Sequence, residues 1–188
     1  MTLTVDQLTG YVDRDLDADL ARWLPAEPPA EISASTRPVE PFLARLPQAA
    51  ATALAAFDRR VRSGAMPRCL DIYDWSYAFD FAANDCTILD SDYETELSDD
   101  DVWSLGADGA GNLYVMLTDG RIAVWFAEEE VIEEGTQFDN LDVFLWSAVR
   151  YRAVRAGVLD LAAVEADFRS LAQPGVLAPE IGLLAYMT

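Results

Sequence analysis

The residues best able to do chemistry in this chain form an acidic run from Asp90 to Asp101, DSDYETELSDDD, with seven carboxylates in twelve residues. Paired carboxylates can act as general acid and base, and several together can hold a hard cation. Catalysis usually draws on histidine or lysine as well, and the chain has neither. A calcium loop needs glycine at its sixth position and glutamate at its twelfth, and both are missing here.

We therefore expect no catalytic residue, metal site or cofactor in the acidic run. The plainest interpretation is a solvated acidic loop, and a sharper one is an acidic surface that docks on a basic protein. A hydrolase that works through these carboxylates is the remaining alternative. Loss of an activity in Asp→Asn variants of the run would support that alternative.

A glycine-rich segment follows at Gly106 to Gly111, GADGAG, and superficially resembles a phosphate-binding loop. Such loops come after a strand and before a helix, whose N-terminus supplies amides and a favourable dipole. Here the glycines lead into a strand instead. We expect Gly106, Asp108, Gly109 and Gly111 to shape a turn and to let the chain pass close to another backbone.

That strand is the first half of a predicted hairpin, in which residues 112–118 and 121–126 are joined by Asp119-Gly120. Asp-Gly favours a type I′ turn with a two-residue loop, which would place Tyr114 opposite Trp125. Tyr114 and Trp125 would then share a face that is either covered by a further layer or open to a partner. The other face would be buried and would carry Leu113, Val115, Leu117, Ile122, Val124 and Phe126.

The remaining elements are predicted from apolar periodicity and from capping and breaking residues. Residues 68–89 are rich in aromatic side chains, and their pattern is compatible with one or two strands. The aromatic rings are interpreted either as core residues or as the lining of a ligand pocket. The predicted elements are a helix from Thr4 to Leu24, a proline-rich linker from Pro25 to Pro41, a helix from Pro47 to Ser63, a short strand within Glu128 to Glu134, a helix from a capping box at Thr136 and Asp139 to Gly157, a helix from Asp160 to Ala172, and an apolar tail from Val176 to Met187 that packs back on the body.

Charge is the most unusual global property, since the net charge is −20 and all 13 basic residues are arginine. Such a surface repels nucleic acid and anionic lipid and accelerates encounter with basic partners. The longest apolar run, Pro47 to Phe57, is far shorter than the roughly 20 residues that span a bilayer. Cys69 and Cys86 form no CxxC pair, and we expect reduced thiols in a cytoplasmic protein, with one disulfide as the lesser possibility.

Three segments together resemble the SUKH superfamily: Leu105-Gly106-x-Asp108-Gly109-x-Gly111-Asn112-x-Tyr114, Asp119-Gly120-x-Ile122-x-Val124-Trp125, and Phe138-Asp139-x-Leu141-x-x-Phe144-Leu145. That superfamily includes a yeast cell-wall-synthesis regulator and many bacterial proteins that neutralise polymorphic toxins. The match spans roughly residues 101–156. The resemblance implies an α+β fold, with a mixed and mainly antiparallel sheet packed against helices, and a binding role without catalysis.

We expect an N-terminal helix and linker or arm over residues 1–40 and a SUKH-like domain over residues 41–188. The expected function is protein binding, most simply as an immunity protein that neutralises a basic toxin domain such as a nuclease. The alternative is a housekeeping regulatory or scaffold protein. The oligomeric state is not predicted. The candidate partner-binding residues are Asp90, Asp92, Glu94, Glu96, Asp99, Asp100, Asp101, Trp103, Tyr114 and Trp125, and the candidate turn residues are Gly106, Asp108, Gly109, Gly111, Asp119 and Gly120.

Overall fold

The computed structural model describes residues 2–34, 36–91, 94–133, 135–179 and 182–187. It has the expected α+β fold, with a six-stranded mixed sheet in the order β2-β1-β6-β5-β4-β3, in which the β1–β6 pair is parallel and the other pairs are antiparallel. The strands are β1 Leu89–Asp90, β2 Thr95–Glu96, β3 Val102–Ala107, β4 Leu113–Leu117, β5 Ile122–Phe126 and β6 Val131–Ile132. The helices are α1 Val5–Leu8, α2 Tyr11–Arg14, α3 Leu16–Trp23, α4 Glu40–Leu43, α5 Gln48–Arg62, α6 Leu141–Arg155, α7 Leu161–Leu171 and α8 Pro174–Leu177.

The β4–β5 hairpin is closed by three loop residues, 118–120, and the predicted two-residue loop is wrong. The Leu117 N–H donates to the Arg121 carbonyl at 2.9 Å, and the Gly120 N–H donates back to the Leu117 carbonyl at 2.9 Å. Gly120 has φ +90°, whereas Asp119 has no positive φ. This is the geometry of a type I turn followed by a left-handed glycine, not of a type I′ turn.

The extra loop residue moves the pairing register by one position. Leu113 lies opposite Trp125, and Tyr114 lies opposite Val124. Because neighbouring residues of a strand point to opposite faces, a shift of one residue exchanges the faces of a whole strand. Tyr114 and Trp125 therefore lie on opposite faces, and the predicted cross-strand pair between them does not form.

Both faces of the part of the sheet formed by β3, β4 and β5 are buried or half-buried, whereas both residues of β2 are exposed. On the helical side, Met116 and Ile122 join the core with Phe144, and the Tyr114 ring lies 4.7 Å from the Phe144 ring. The opposite face is covered by the segment before and around β1, and Trp125 packs there with its ring 4.9 Å from Phe81. Of the two interpretations of the Tyr114 face, the covering layer is the one found. The buried members of the second core are Phe81, Ile88, Val102, Ala107, Leu113, Val115, Ala123, Trp125 and Ile132.

The predicted N-terminal helix is broken into α1, α2 and α3. Gly10 has φ +80° and stops the first turn of helix, because that backbone conformation cannot continue a right-handed helix. Its N–H donates to Asp142 Oδ2 at 2.9 Å, and the Val12 N–H donates to Asp142 Oδ1 at 2.9 Å. The start of α6 thus replaces the helical hydrogen bonds that the break removes.

The N-terminal helices belong to the main hydrophobic core. Val12 and Leu16 have no exposed surface and lie in the same cluster as Leu54 of α5 and Val149 of α6. A division into residues 1–40 and 41–188 stays a prediction, but the first helices do not stand apart from the body.

The later helices follow the sequence closely. Helix α5 begins after Pro47, and α7 begins after Asp160, whose carboxylate accepts the Ala162 N–H at 3.0 Å. The capping box at Thr136 is wrong, because α6 begins at Leu141 with Asn140 accepting the Val143 N–H at 3.0 Å. The described part of the tail packs on the body, with Val176 and Leu183 buried.

Candidate functional site

Two carboxylates of the acidic run, those of Asp99 and Asp101, are bound within the fold. Asp99 accepts hydrogen bonds from the Phe81 and Ala82 N–H groups at 2.8 and 2.9 Å and pairs with Arg37 at 3.2 Å. Burial lowers the pKa of Arg37, although three nearby carboxylates oppose that effect. These contacts tie the proline-rich segment and the 3₁₀ turn Ala82–Asn84 to the start of β3. The Asp99 carboxylate therefore stabilises the fold and is largely occupied by contacts within the chain.

Asp101 is also engaged within the fold. Its carboxylate accepts the Ser98 N–H at 2.8 Å and the Ser98 hydroxyl at 2.7 Å, and it pairs with Arg45 at 2.8 Å. Partial burial raises the pKa of Asp101, but the Ser98 hydrogen bonds and Arg45 together outweigh burial, so its pKa lies below the usual value. The ionised carboxylate is thus favoured more in the folded than in the unfolded chain.

Asp101→Asn should therefore lower the free energy of unfolding at pH 7 by up to about 1 kcal/mol, the range of a partly exposed ion pair. A depressed folded-state pKa gives stability above the unfolded pKa, about 3.9, which is lost as the pH falls through the lower folded value. The difference from wild type should shrink across that window. Urea unfolding from pH 7 to pH 3 measures it, with exposed Asp100→Asn as control. A difference that stays constant with pH would contradict this role.

The remaining carboxylates of the run are more open to solvent. Glu94, Glu96 and Asp100 are exposed, and Asp90 is half-buried in β1. Asp92, also a predicted partner-binding residue, lies outside the described residues. Among the ion pairs of the described chain, none involves Glu94 or Glu96.

The fold brings a second acidic segment to the same end of the sheet. Strand β1 pairs with β2 on one side and with β6 on the other, so the residues before and after β6 lie close to the β1–β2 hairpin. Neither residues 82–98 nor residues 127–133 contain arginine. We call the exposed glutamates of this group the acidic edge: Glu94, Glu96, Glu128, Glu129 and Glu133.

Glu130 supports the acidic edge from within. Its carboxylate accepts the Thr87 N–H at 2.8 Å and the Thr87 hydroxyl at 2.6 Å. These hydrogen bonds lower the pKa of Glu130. The contact fixes the loop between β5 and β6, which carries Glu128 and Glu129, against the segment that leads into β1.

Two of the three predicted aromatic contacts are buried. Trp103 has no exposed surface, and Trp125 is 3% exposed. The Trp125 indole N–H donates to the Thr87 carbonyl at 3.0 Å. Neither ring can touch a partner unless the fold opens, so Trp103 and Trp125 are not part of the candidate contact surface. Tyr114 is half-buried in a cleft between the sheet and α6.

The predicted turn residues have several different roles. Gly106 lies inside β3 at a register shift, and a Cβ there would be 2.5 Å from the Leu70 carbonyl oxygen. This is the close backbone approach expected of the segment, although Gly106 is not in a turn. Asp108 accepts the Ala110 and Asn112 N–H groups at 2.7 and 3.1 Å. Left-handed Gly109 and Gly111 complete this turn, and Asp119 and Gly120 lie in the hairpin loop.

Strand β3 is not among the elements predicted from the sequence. All six of its residues are buried, so it lacks the polar–apolar alternation of a half-exposed strand. Its outer edge is covered, since the Ala107 N–H donates to the Leu70 carbonyl at 2.7 Å and the Ala78 N–H to the Ser104 carbonyl at 3.0 Å. Residues 68–88 do not form the predicted strands, because Asp71 and Ala78 have positive φ and interrupt an extended backbone. They form the segment that covers β3, and only Leu89 belongs to a strand, β1.

A cleft of about 630 Å³ lies between the sheet, the C-terminal half of α6 and the tail. Its volume is within the range of small-molecule sites. Burial raises the pKa of Tyr114, so its hydroxyl is neutral at physiological pH. The charged groups lining the cleft nearly balance, and they are Glu27, Asp71, Asp108, Arg152 and Arg155.

This cleft is not among the sites predicted from the sequence. Tyr151 and Arg155 are four residues apart on α6, and the Arg155 guanidinium donates to the Tyr151 hydroxyl at 3.4 Å and to the Tyr186 carbonyl at 3.3 Å. The sequence signal was the polar pattern YRAVR in the last turns of a helix whose earlier turns are apolar. The apolar tail was predicted to pack on the body, but no local pattern indicates that it forms one wall of a cleft.

We also searched the described residues for a metal site and for a membrane-spanning helix, and examined the two cysteines. Within residues 2–34, 36–91, 94–133, 135–179 and 182–187, no group of three or more potential metal ligands is found. No helix in those ranges has the length and apolar composition needed to cross a membrane. Cys69 and Cys86 are free thiols, and burial raises the pKa of Cys69 to about 12, which makes it unreactive near neutral pH.

Comparisons with protein-family models, with curated proteins and with solved structures give no match for this chain.

Proposed function

We propose that this protein is a non-catalytic protein-binding module of the immunity type, which neutralises a basic toxin domain by meeting it with the acidic edge. The observation that carries the proposal is that the acidic edge gathers five exposed glutamates from two distant segments that contain no arginine. The sequence resemblance to the SUKH superfamily supports the same role. A cytoplasmic location, where both free thiols stay reduced, is part of the proposal.

Two arginines pair with carboxylates of the acidic run. Arg37 and Arg45 neutralise Asp99 and Asp101, and they leave Glu94 and Glu96 without an ion-pair partner in the described chain. Unneutralised carboxylates of one sign on one surface produce a field that steers a cation into place. Charges at an interface rim chiefly raise the association rate, whereas buried contacts determine the lifetime. Nucleic acid, which is itself anionic, is not the partner in this proposal.

The first experiment is an affinity capture from native cell extract with the tagged full chain, at low and moderate salt, with mass spectrometry of the bound proteins. A basic toxin domain in a salt-sensitive complex is the expected result. Recovery of cell-envelope or regulatory proteins would instead support the scaffold alternative. Recovery of the chain alone would overturn the proposal.

Neutralising the acidic edge should slow association with the captured partner about five- to tenfold at low salt, and less at high salt because ions screen the field. Stopped-flow or surface-based kinetics measure the rate. The control has the same charge change on the α1, α2 and α7 surfaces, and its rate should stay within about twofold of wild type. Equal rates for the two variants would remove the acidic edge from the mechanism. The test variant is E94Q/E96Q/E128Q, and the control is D6N/D13N/D167N.

A further inference from the structure

One aromatic side chain of the segment that covers β3 is presented to solvent. Trp75 is 48% exposed, whereas Tyr77 and Phe81 of the same segment are buried. The Trp75 ring stacks on Tyr73, with ring centroids 6.1 Å apart and planes only 11° from parallel. The Arg68 guanidinium lies 5.0 Å from the centre of the Tyr73 ring. The Tyr73 ring therefore contacts both the Trp75 ring and the Arg68 guanidinium.

Hydrogen bonds fix the backbone of the turn that carries Tyr73 and Trp75. The Ser76 hydroxyl has no exposure, donates to the Asp71 carbonyl at 2.5 Å and accepts the Tyr73 N–H at 2.9 Å. On the other side, the Asp74 carboxylate accepts the Ser33 N–H at 2.6 Å. The backbone around Trp75 is therefore fixed, and its ring is already stacked on Tyr73, which reduces the side-chain entropy that binding would remove.

The charges around Trp75 favour a cation. Asp74, the residue before Trp75, takes part in no ion pair of the described chain, and the whole chain carries a net charge of −20. Tryptophan is the aromatic residue that binds cations best through its ring face. In the described residues, the ring contact of Trp75 is with Tyr73 alone.

We propose that Trp75 is a contact residue for the partner, and that its outer face receives a guanidinium group from a basic protein segment. The identity of the partner class rests on the proposed function. Tryptophan, tyrosine and arginine are the residues that most often dominate interface energetics. Trp75 would add a short-range contact that lengthens the lifetime of the complex, whereas the acidic edge would supply the long-range attraction.

A peptide probe tests this contact without the natural partner. An (Arg-Gly)₅ peptide is titrated into ¹⁵N-labelled full-length protein at 0.15 M salt, and the indole N–H signals are followed by NMR. The Trp75 indole signal should move more than those of buried Trp103, Trp125 and Trp146. Trp75→Ala should weaken peptide binding about threefold to tenfold, the range of a partly exposed cation–π contact. A matched (Gln-Gly)₅ peptide should leave the Trp75 signal unmoved.

The control variant is Tyr186→Ala, which removes another exposed ring, 53% accessible, at the mouth of the cleft. It should bind the arginine peptide as wild type does. An unmoved Trp75 signal, or equal affinity of wild type and Trp75→Ala, would overturn the contact. With the captured partner, Trp75→Ala should raise the dissociation constant about tenfold, mainly through faster dissociation. Failure of the capture would overturn the proposed function, whereas failure of the peptide titration would overturn only the contact.

Discussion

Trp103→Ala should lower the free energy of unfolding by about 4 kcal/mol, the middle of the range for removing a fully buried large aromatic side chain. The Trp103 ring has no exposure and packs against Phe42 and Tyr77 at centroid distances of 6.0 and 5.8 Å. The Arg37 guanidinium covers it at 4.8 Å. Alanine would leave a cavity where α4, β3 and the proline-rich segment meet. Urea unfolding followed by far-ultraviolet circular dichroism measures the loss.

The control for Trp103→Ala is the same substitution at Trp75, which is 48% exposed and should change the free energy of unfolding by less than about 1 kcal/mol. Together the two variants separate folding from recognition: Trp103→Ala should reduce the folded fraction, and Trp75→Ala should reduce binding by folded protein. A loss below about 1.5 kcal/mol for Trp103→Ala would mean that the ring is less tightly packed than its contacts indicate.

Elements with strong local signals were predictable from the sequence. Helix α5 follows Pro47, α7 follows its capping Asp160, and β6 lies within the predicted acidic segment. The hairpin was found through Asp119-Gly120, but its register was not, because the same dipeptide fits a two-residue loop and the last two positions of a three-residue loop. That one-residue difference decides whether Tyr114 and Trp125 share a face.

The candidate contact surface was harder to predict because it depends on pairing between distant segments. Asp99 and Glu94 lie in the same acidic run, and nothing in the sequence distinguishes them. The structure does, because Arg37, distant in sequence, pairs with Asp99 and not with Glu94. Trp103 and Trp75 also look alike in sequence, since each follows an aspartate within two residues and precedes a serine. Only tertiary packing distinguishes the buried ring from the exposed one.

Asp142 should be the strongest single polar link between the N-terminal helices and the body. Asp142→Ala should lower the free energy of unfolding by about 3 kcal/mol, because it leaves two amide donors without acceptors in a largely buried place. Those donors are the N–H groups of Gly10 and Val12, and Asp142 itself is only 8% exposed. Hydrogen exchange at the two amides, together with urea unfolding, measures the effect.

Asp142→Asn separates hydrogen bonding from charge. Both variants lose the favourable interaction of a carboxylate with the first turn of α6, but asparagine keeps one acceptor oxygen, so it should recover about half of the loss. Helix α6 itself should persist in both, because Asn140 still accepts the Val143 N–H. The expected pattern in Asp142→Ala is therefore faster exchange over α1 and α2 with little change in α6. Unchanged exchange at Gly10 and Val12 would show that apolar packing around Leu16 holds these helices without the carboxylate.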